Sequence, residues 1–214
     1  MDVFAANGPK LPMWLEQRVF GLLLRVLNGD LTRLGLPKPD HKLFETHPLL
    51  NSQLIHHLQH GDVTARPAIA DTDGTTVTFA DGTSEDVDLI LLATGYRHRV
   101  PYAQRYFGNE QHPDLYLTAF SHHPGLYGVG YVETNSGAYG LMDVLAHLVA
   151  GHIADRTDRP ERWLEFERRI ATDHPDLSGG IRFVNSPRHR GYVDSAAFKD
   201  YLHKVAAEAG WEVP

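Results

Sequence analysis

Cysteine is absent from the 214 residues. Its absence excludes a disulfide framework, a thiolate metal site and dithiol redox chemistry. A surplus of positive charge is missing too. Twenty Lys and Arg face 27 Asp and Glu, a formal net charge of −7 with a pI near 6.0. With no Lys/Arg block in addition, nucleic acid is not an expected partner. No apolar run is long enough to cross a bilayer: the longest, residues 19–27, is interrupted by Arg25. The opening Met1-Asp2-Val3-Phe4 lacks the basic segment of a secretory signal, so a cytoplasmic location is the expectation. Neither His-Glu-x-x-His nor Gly-x-Ser-x-Gly occurs, which removes the commonest zinc-hydrolase and serine-hydrolase signatures. Internal repeats and low-complexity tails are also lacking.

What is there alternates between helix and strand patterns. Pro12 precedes an apolar segment, Met13 to Leu27, that stops at Asn28-Gly29. Its apolar residues run most of the way round, so burial on more than one side is expected. Pro37 and Pro39 mark residues 34–40 as an extended connector. A second helix is expected from a cap around Thr46-His47-Pro48, with Leu50, Leu54 and Leu58 on one face and a stop at Gly61. Residues 62–65 read as a short strand and residues 71–74 as a turn. Thr75 to Phe79 alternates as a half-buried strand, and Asp81-Gly82 is a hairpin signal. Residues 115–118 and 125–132 read as two further strands. Helices are expected over residues 137–150 with Gly151 as the stop, from Pro160 to Asp173, and from Ser195 with Phe198, Leu202 and Val205 buried.

The most informative stretch is Asp88-Leu89-Ile90-Leu91-Leu92-Ala93-Thr94-Gly95-Tyr96. An apolar run ending in small residues reads as a central strand buried on both faces, with Gly95 at its C-terminal end near the start of the residue 137 helix. Ala93-Thr94-Gly95-Tyr96 resembles the linker of flavin-containing monooxygenases. The likeness extends to Leu36-Pro37-Lys38-Pro39-Asp40-His41, Glu45-Thr46-His47-Pro48 and Asn51-Ser52, and to Asp81-Gly82-Thr83 before Val87-Asp88. It continues through residues 126–139 and into Ser186-Pro187-Arg188-His189 with Tyr192-Val193-Asp194.

The resemblance implies an α/β chain: part of a Rossmann-like, two-domain flavoprotein fold with a β-hairpin and C-terminal helices. Residues 1–95 would end an NADPH-binding-like domain, and residues 96–214 would end an FAD-binding-like domain and add a helical tail. In such a family NADPH reduces FAD, and the reduced flavin activates O₂ to oxygenate a small molecule, a soft nucleophile or a ketone. The Gly-x-Gly-x-x-Gly turns that hold the two pyrophosphates are absent here; Gly128-Val129-Gly130-Tyr131-Val132-Glu133 lacks the third glycine. The chain is therefore expected to be a C-terminal portion, inactive alone, that associates with itself or with a missing N-terminal half. The competing reading is a non-enzymatic binding or assembly module, or a split subunit. A flavoprotein disulfide reductase shares the layout, but the lack of cysteine counts against it.

Five residues are candidates for cofactor contact under this resemblance: Thr94, Gly95, Asn135, Ser136 and Gly137. Thr94 and Gly95 would let the chain pass between the cofactor domains, or would simply end a strand tightly. Glu133 to Gly137 precede a helix whose N–H groups could meet the pyrimidine edge of a reduced flavin. Asn135 or Ser136 could equally serve as the N-cap. The family often has Gln-Pro-Asn where this chain has Glu133-Thr134-Asn135, and a carboxylate beside an anionic flavin is unfavourable. Asn51 and Ser52 read as polar residues on a helix face, and His56, His57 and His60 as a solvated face. No catalytic side chain and no metal site is expected, since the cofactor carries the chemistry in this family.

Overall fold

A computed structural model describes residues 13–47, 53–95, 100–107, 113–186, 189 and 191–214. The expected cap at Pro48, the pair Asn51-Ser52, Tyr96, Pro12 and the Pro187-Arg188 motif lie outside the described residues. Mixed helices and small sheets make this an α/β chain. Its contacts divide into two units: one of Met1–Leu15, His41–Pro48 and Arg97–Pro214, and one of Glu16–Asp40 and Leu49–Tyr96.

In the second unit, α1 (Met13–Asn28, which begins in the first unit) has Glu16 in its first turn and Arg25 in its last, each favourable to the helix dipole. Gly29 follows at φ +73. The expected burial of α1 on several sides is not found. Leu22 is 66% exposed, Val26 73% and Leu27 69%. A 3-10 turn, Leu31–Leu34, is capped by Asp30 and closed by Gly35. Helix α2 (Gln53–His60) buries Leu58. The expected strand at residues 62–65 is irregular backbone. Strands β1 (Ile69–Asp73), β2 (Thr76–Phe79) and β3 (Ser84–Asp86) form an antiparallel sheet in that order. Residues 71–73, read as part of a turn, lie in β1. The alternation in β2 holds: Val77 and Phe79 are buried, and Thr76 and Thr78 are half-buried. Asp81-Gly82 turns the chain into β3, with the Thr83 N–H donating to Asp81 Oδ1.

The run from Asp88 to Ala93 does not form the expected central strand. It is irregular backbone, with Leu89, Leu91 and Leu92 about four-fifths exposed. A strand buried on both faces needs paired neighbours at both edges and layers above and below. Among the described residues, none pairs with this run.

The first unit holds the core. A four-residue turn of helix, α3 (Gln104–Phe107), precedes β4 (Leu115–Tyr116) and β5 (Phe120–Ser121), which pair antiparallel. The strand expected over 115–118 ends early, because Leu117 and Thr118 turn into left-handed backbone. The strand expected over 125–132 is reduced to one bridge, Phe120 to Tyr127. Gly125 and Gly130 have φ of +79 and +108, which extended backbone does not allow. Strand β6 (Glu133–Thr134) pairs in parallel with β7 (Tyr192–Val193).

Three helices close the core: α4 (Tyr139–Asp158), α5 (Pro160–Thr172) and α6 (Ser195–Ala209). Helix α4 runs through Gly151 rather than stopping there. A Cβ at that position would sit 2.6 Å from Trp211 Cγ, so the glycine makes room for an indole. Helix α5 starts on Pro160 and ends at Asp173, as its sequence signals predict. Helix α6 is capped by Asp194, which accepts from the Ala197 N–H, and by Gly210 at φ +66. Phe198, Leu202 and Val205 are fully buried against Leu145, Leu148, Phe120 and Phe166.

Candidate functional site

Strand β6 fixes the segment that the sequence singles out. Its parallel partner places Glu133 opposite Tyr192 and Thr134 opposite Val193. Asn135 follows, and both ends of its amide are engaged. Nδ2 donates to Asp194 Oδ2 at 2.8 Å, and Oδ1 accepts from the Ser195 N–H at 3.0 Å and from Thr134 Oγ1 at 3.2 Å. Asn135 therefore clamps the start of α6. It does not cap α4, and neither does Ser136. Ala138 holds the cap position of α4, with no side-chain hydrogen bond there. The helix begins with the Met142 N–H donating to Ala138 O, so the N–H groups of residues 139–141 have no intrahelical acceptor.

An open cleft of about 280 Å³ lies at this helix start, lined by His47, Val132, Glu133, Thr134, Ser136 and Ala138. Ser136 is half-buried in its wall, and Gly137 is exposed with nothing within 4 Å of a built Cβ. Sequence reading missed His47 here, having placed it at a helix cap. Its Nδ1 is 3.0 Å from the Tyr192 hydroxyl. Thr94 and Gly95 belong to the other unit. Gly95 has φ +83 and open space around it, so its backbone conformation, not crowding, requires glycine.

Further along, α4 carries buried polar groups in line with its leucines. His152 and Asp155 continue the series Leu141, Leu145, Leu148, a spacing that could have marked them. Asp155 accepts from Trp211 Nε1 at 3.0 Å and from Arg159 Nε at 2.6 Å. His152 Nδ1 is 2.9 Å from the Tyr127 hydroxyl. Its Nε2 is 3.3 Å from Glu167 Oε1 but out of hydrogen-bond alignment. Burial pulls the His152 imidazole down to about 4 and pushes the Glu167 carboxyl up. A second cluster gathers Tyr116, Arg169 and Tyr201 on Asp173. Both clusters are enclosed by their own partners and join helices rather than face the cleft.

The α2 histidines form no metal site. His60 Nδ1 donates to His56 O at 2.8 Å, and His57 pairs with Asp62 at 3.0 Å. Among the described residues, no group of three or more His, Cys, Asp or Glu could hold a metal ion. Among them, too, no helix is long and apolar enough to cross a membrane.

The profile of the flavin-binding monooxygenase-like family matches residues 19–132. The chain is 31% identical over 131 residues to the indole-3-pyruvate monooxygenase YUCCA4 of Oryza sativa subsp. japonica, covering 55% of this chain and 30% of that protein. It is 31% identical over 133 residues to the probable indole-3-pyruvate monooxygenase YUCCA9 of Arabidopsis thaliana, covering 58% and 32%. It is 28% identical over 114 residues to dimethylaniline monooxygenase [N-oxide-forming] 2 of Rattus norvegicus, covering 50% and 21%. The chain thus spans about a third or less of the length of these relatives.

Proposed function

The chain belongs to the flavin-binding monooxygenase-like family, and from that premise we propose that it is the C-terminal portion of an FAD- and NADPH-dependent monooxygenase. The observation that carries this reading is the family match over 19–132, which encloses the Ala93-Thr94-Gly95 turn. Residues 1–95 then correspond to the end of a Rossmann-like NADPH domain. Residues 96–214 correspond to the end of an FAD domain with its helical tail, in a cytoplasmic protein. The intact protein oxygenates a small molecule with a soft nucleophilic atom or a ketone. Relatives are named for indole-3-pyruvate and for dimethylaniline.

The residues present fit one end of the cofactor only. The uncapped start of α4, Ser136 and His47 offer donors to the edge of a flavin ring. That ring, when bound in the intact family, supplies the oxygenation chemistry. Glu133 in the same wall disfavours negative charge. No Gly-x-Gly-x-x-Gly turn exists in the 214 residues to grip a pyrophosphate. The chain alone therefore offers donors to a ring edge without driving a reaction.

A second reading, a binding module or split subunit, is favoured by the exposure of α1 and of Leu89 to Leu92. Exposed apolar faces of this kind mark contact surfaces, here for a second copy or an N-terminal half. The test is NADPH consumption by the purified chain with added FAD. No consumption above free FAD is expected. Turnover coupled to oxygen uptake would overturn the proposal.

A further inference from the structure

We infer that His47 is the ligand-facing hydrogen-bond donor of the Glu133–Ala138 cleft, oriented by Tyr192 toward the acceptor edge of an uncharged flavin ring. The inference rests on the flavin reading of that cleft. It stands on how His47 gets there. Residues 41–48 group with the unit that contains the cleft, although residues on both sides of them belong to the other unit. The segment is tied down by the Val184 N–H donating to Glu45 O at 2.9 Å, and the Lys42 N–H donating to Glu45 Oε2 at 2.8 Å closes a turn within it. This docking sets His47 into the cleft wall.

The second observation is the orientation of the ring. Tyr192 is buried on β7, opposite Glu133, and its hydroxyl lies 3.0 Å from His47 Nδ1 with the rings edge-to-face. With the hydroxyl proton given to Nδ1, the imidazole carries its own N–H on Nε2. Nε2 has no hydrogen-bond partner among the described residues. The third is charge. Glu133 lines the same cleft, so an anion would meet a carboxylate. A neutral heteroaromatic ring bordered by carbonyl oxygens and ring nitrogens accepts from Nε2–H without that penalty. Oxidised flavin has that chemistry.

Riboflavin carries the ring without a pyrophosphate and is the probe. It is titrated onto the full chain and followed by quenching of its fluorescence. A dissociation constant on the order of 0.1 mM is expected for a ring fragment in an open cleft. His47→Ala should weaken binding roughly three- to tenfold, the loss of one donor. His47→Gln, which keeps a donor, should restore most of it, and Tyr192→Phe should fall between. Ser136→Phe fills the cleft and should abolish binding. Thermal melts of all variants confirm that they fold. If Ser136→Phe abolishes binding and His47→Ala leaves it unchanged, the His47 assignment fails and the flavin reading stands. If His47→Gln restores nothing, His47 only tethers residues 41–48 and the assignment fails as well. If the wild-type chain does not quench riboflavin, or Ser136→Phe still binds, the flavin reading of the cleft fails and takes this inference with it.

Discussion

At the scale of single residues, Gly151 and His152 show how closely the core of the first unit is set. Gly→Ala inside a helix ordinarily gains about 1 kcal/mol. Here the added Cβ would lie 2.6–2.8 Å from three Trp211 ring atoms, and an overpacked core costs about 1–3 kcal/mol. We expect Gly151→Ala to lower stability by about 1–2 kcal/mol, read from urea unfolding; a stabilised variant would place Trp211 elsewhere. His152 gives a pH dependence with a definite sign. Its ordinary value is 6.5 and its folded value about 4, because burial penalises the imidazolium. Between those values the unfolded chain binds a proton that the native chain refuses. Stability should therefore fall as pH drops through that window, by at most about 3 kcal/mol. Glu167, pushed up by burial, works in the opposite direction, since its ionisation costs the native state more than the unfolded one. Comparing wild type with His152→Gln isolates the histidine. The variant should lose that part of the slope, and an unchanged slope would show that His152 is not the group responsible.

At the scale of elements, the helices were the most legible. Pro160, the Asp173-His174-Pro175 stop and the Phe198, Leu202, Val205 spacing mark α5 and α6 through local signals that the fold respects. The Asp81-Gly82 hairpin is local in the same sense. Gly151 misled because glycine stops helices and also admits bulky neighbours, and only the distant Trp211 decides between the two. The Leu89–Leu92 run misled for a related reason: its apolar character asks for burial, but the strands that would provide it are not among the described residues. The candidate site was half legible. Ser136 lines the cleft and Gly137 does not, Asn135 is committed to α6, and His47 reaches Tyr192 across 145 residues of sequence. The Asn135–Asp194 clamp gives a prediction of its own. Asp194→Ala removes the α6 cap and the Asn135 contact together, and should cost about 1–2 kcal/mol. Asn135→Ala should cost a similar amount, and the double variant less than the sum, because the two share one bond. Additive losses in chemical denaturation would show that the clamp carries no energy.

At the scale of the whole molecule, exposed apolar surface dominates. Leu22, Leu27, Leu89, Leu91 and Leu92 are each about two-thirds exposed or more. Burying these five side chains is worth roughly 7–15 kcal/mol, at about 1.5–3 each. A whole domain's net stability is roughly 5–15 kcal/mol, so covering them changes the balance decisively. We expect light scattering after size exclusion to show self-association that Leu89→Glu with Leu91→Glu relieves. A compact monomer with a sharp, high-temperature melt would instead favour a self-sufficient binding module. As proposed, this chain supplies a flavin-facing edge without the pyrophosphate grips. This is tested most directly by incubating the purified chain with FAD, desalting it and recording its visible absorption. A colourless protein with far less than one flavin per chain is expected. A yellow protein near one flavin per chain would contradict the proposal.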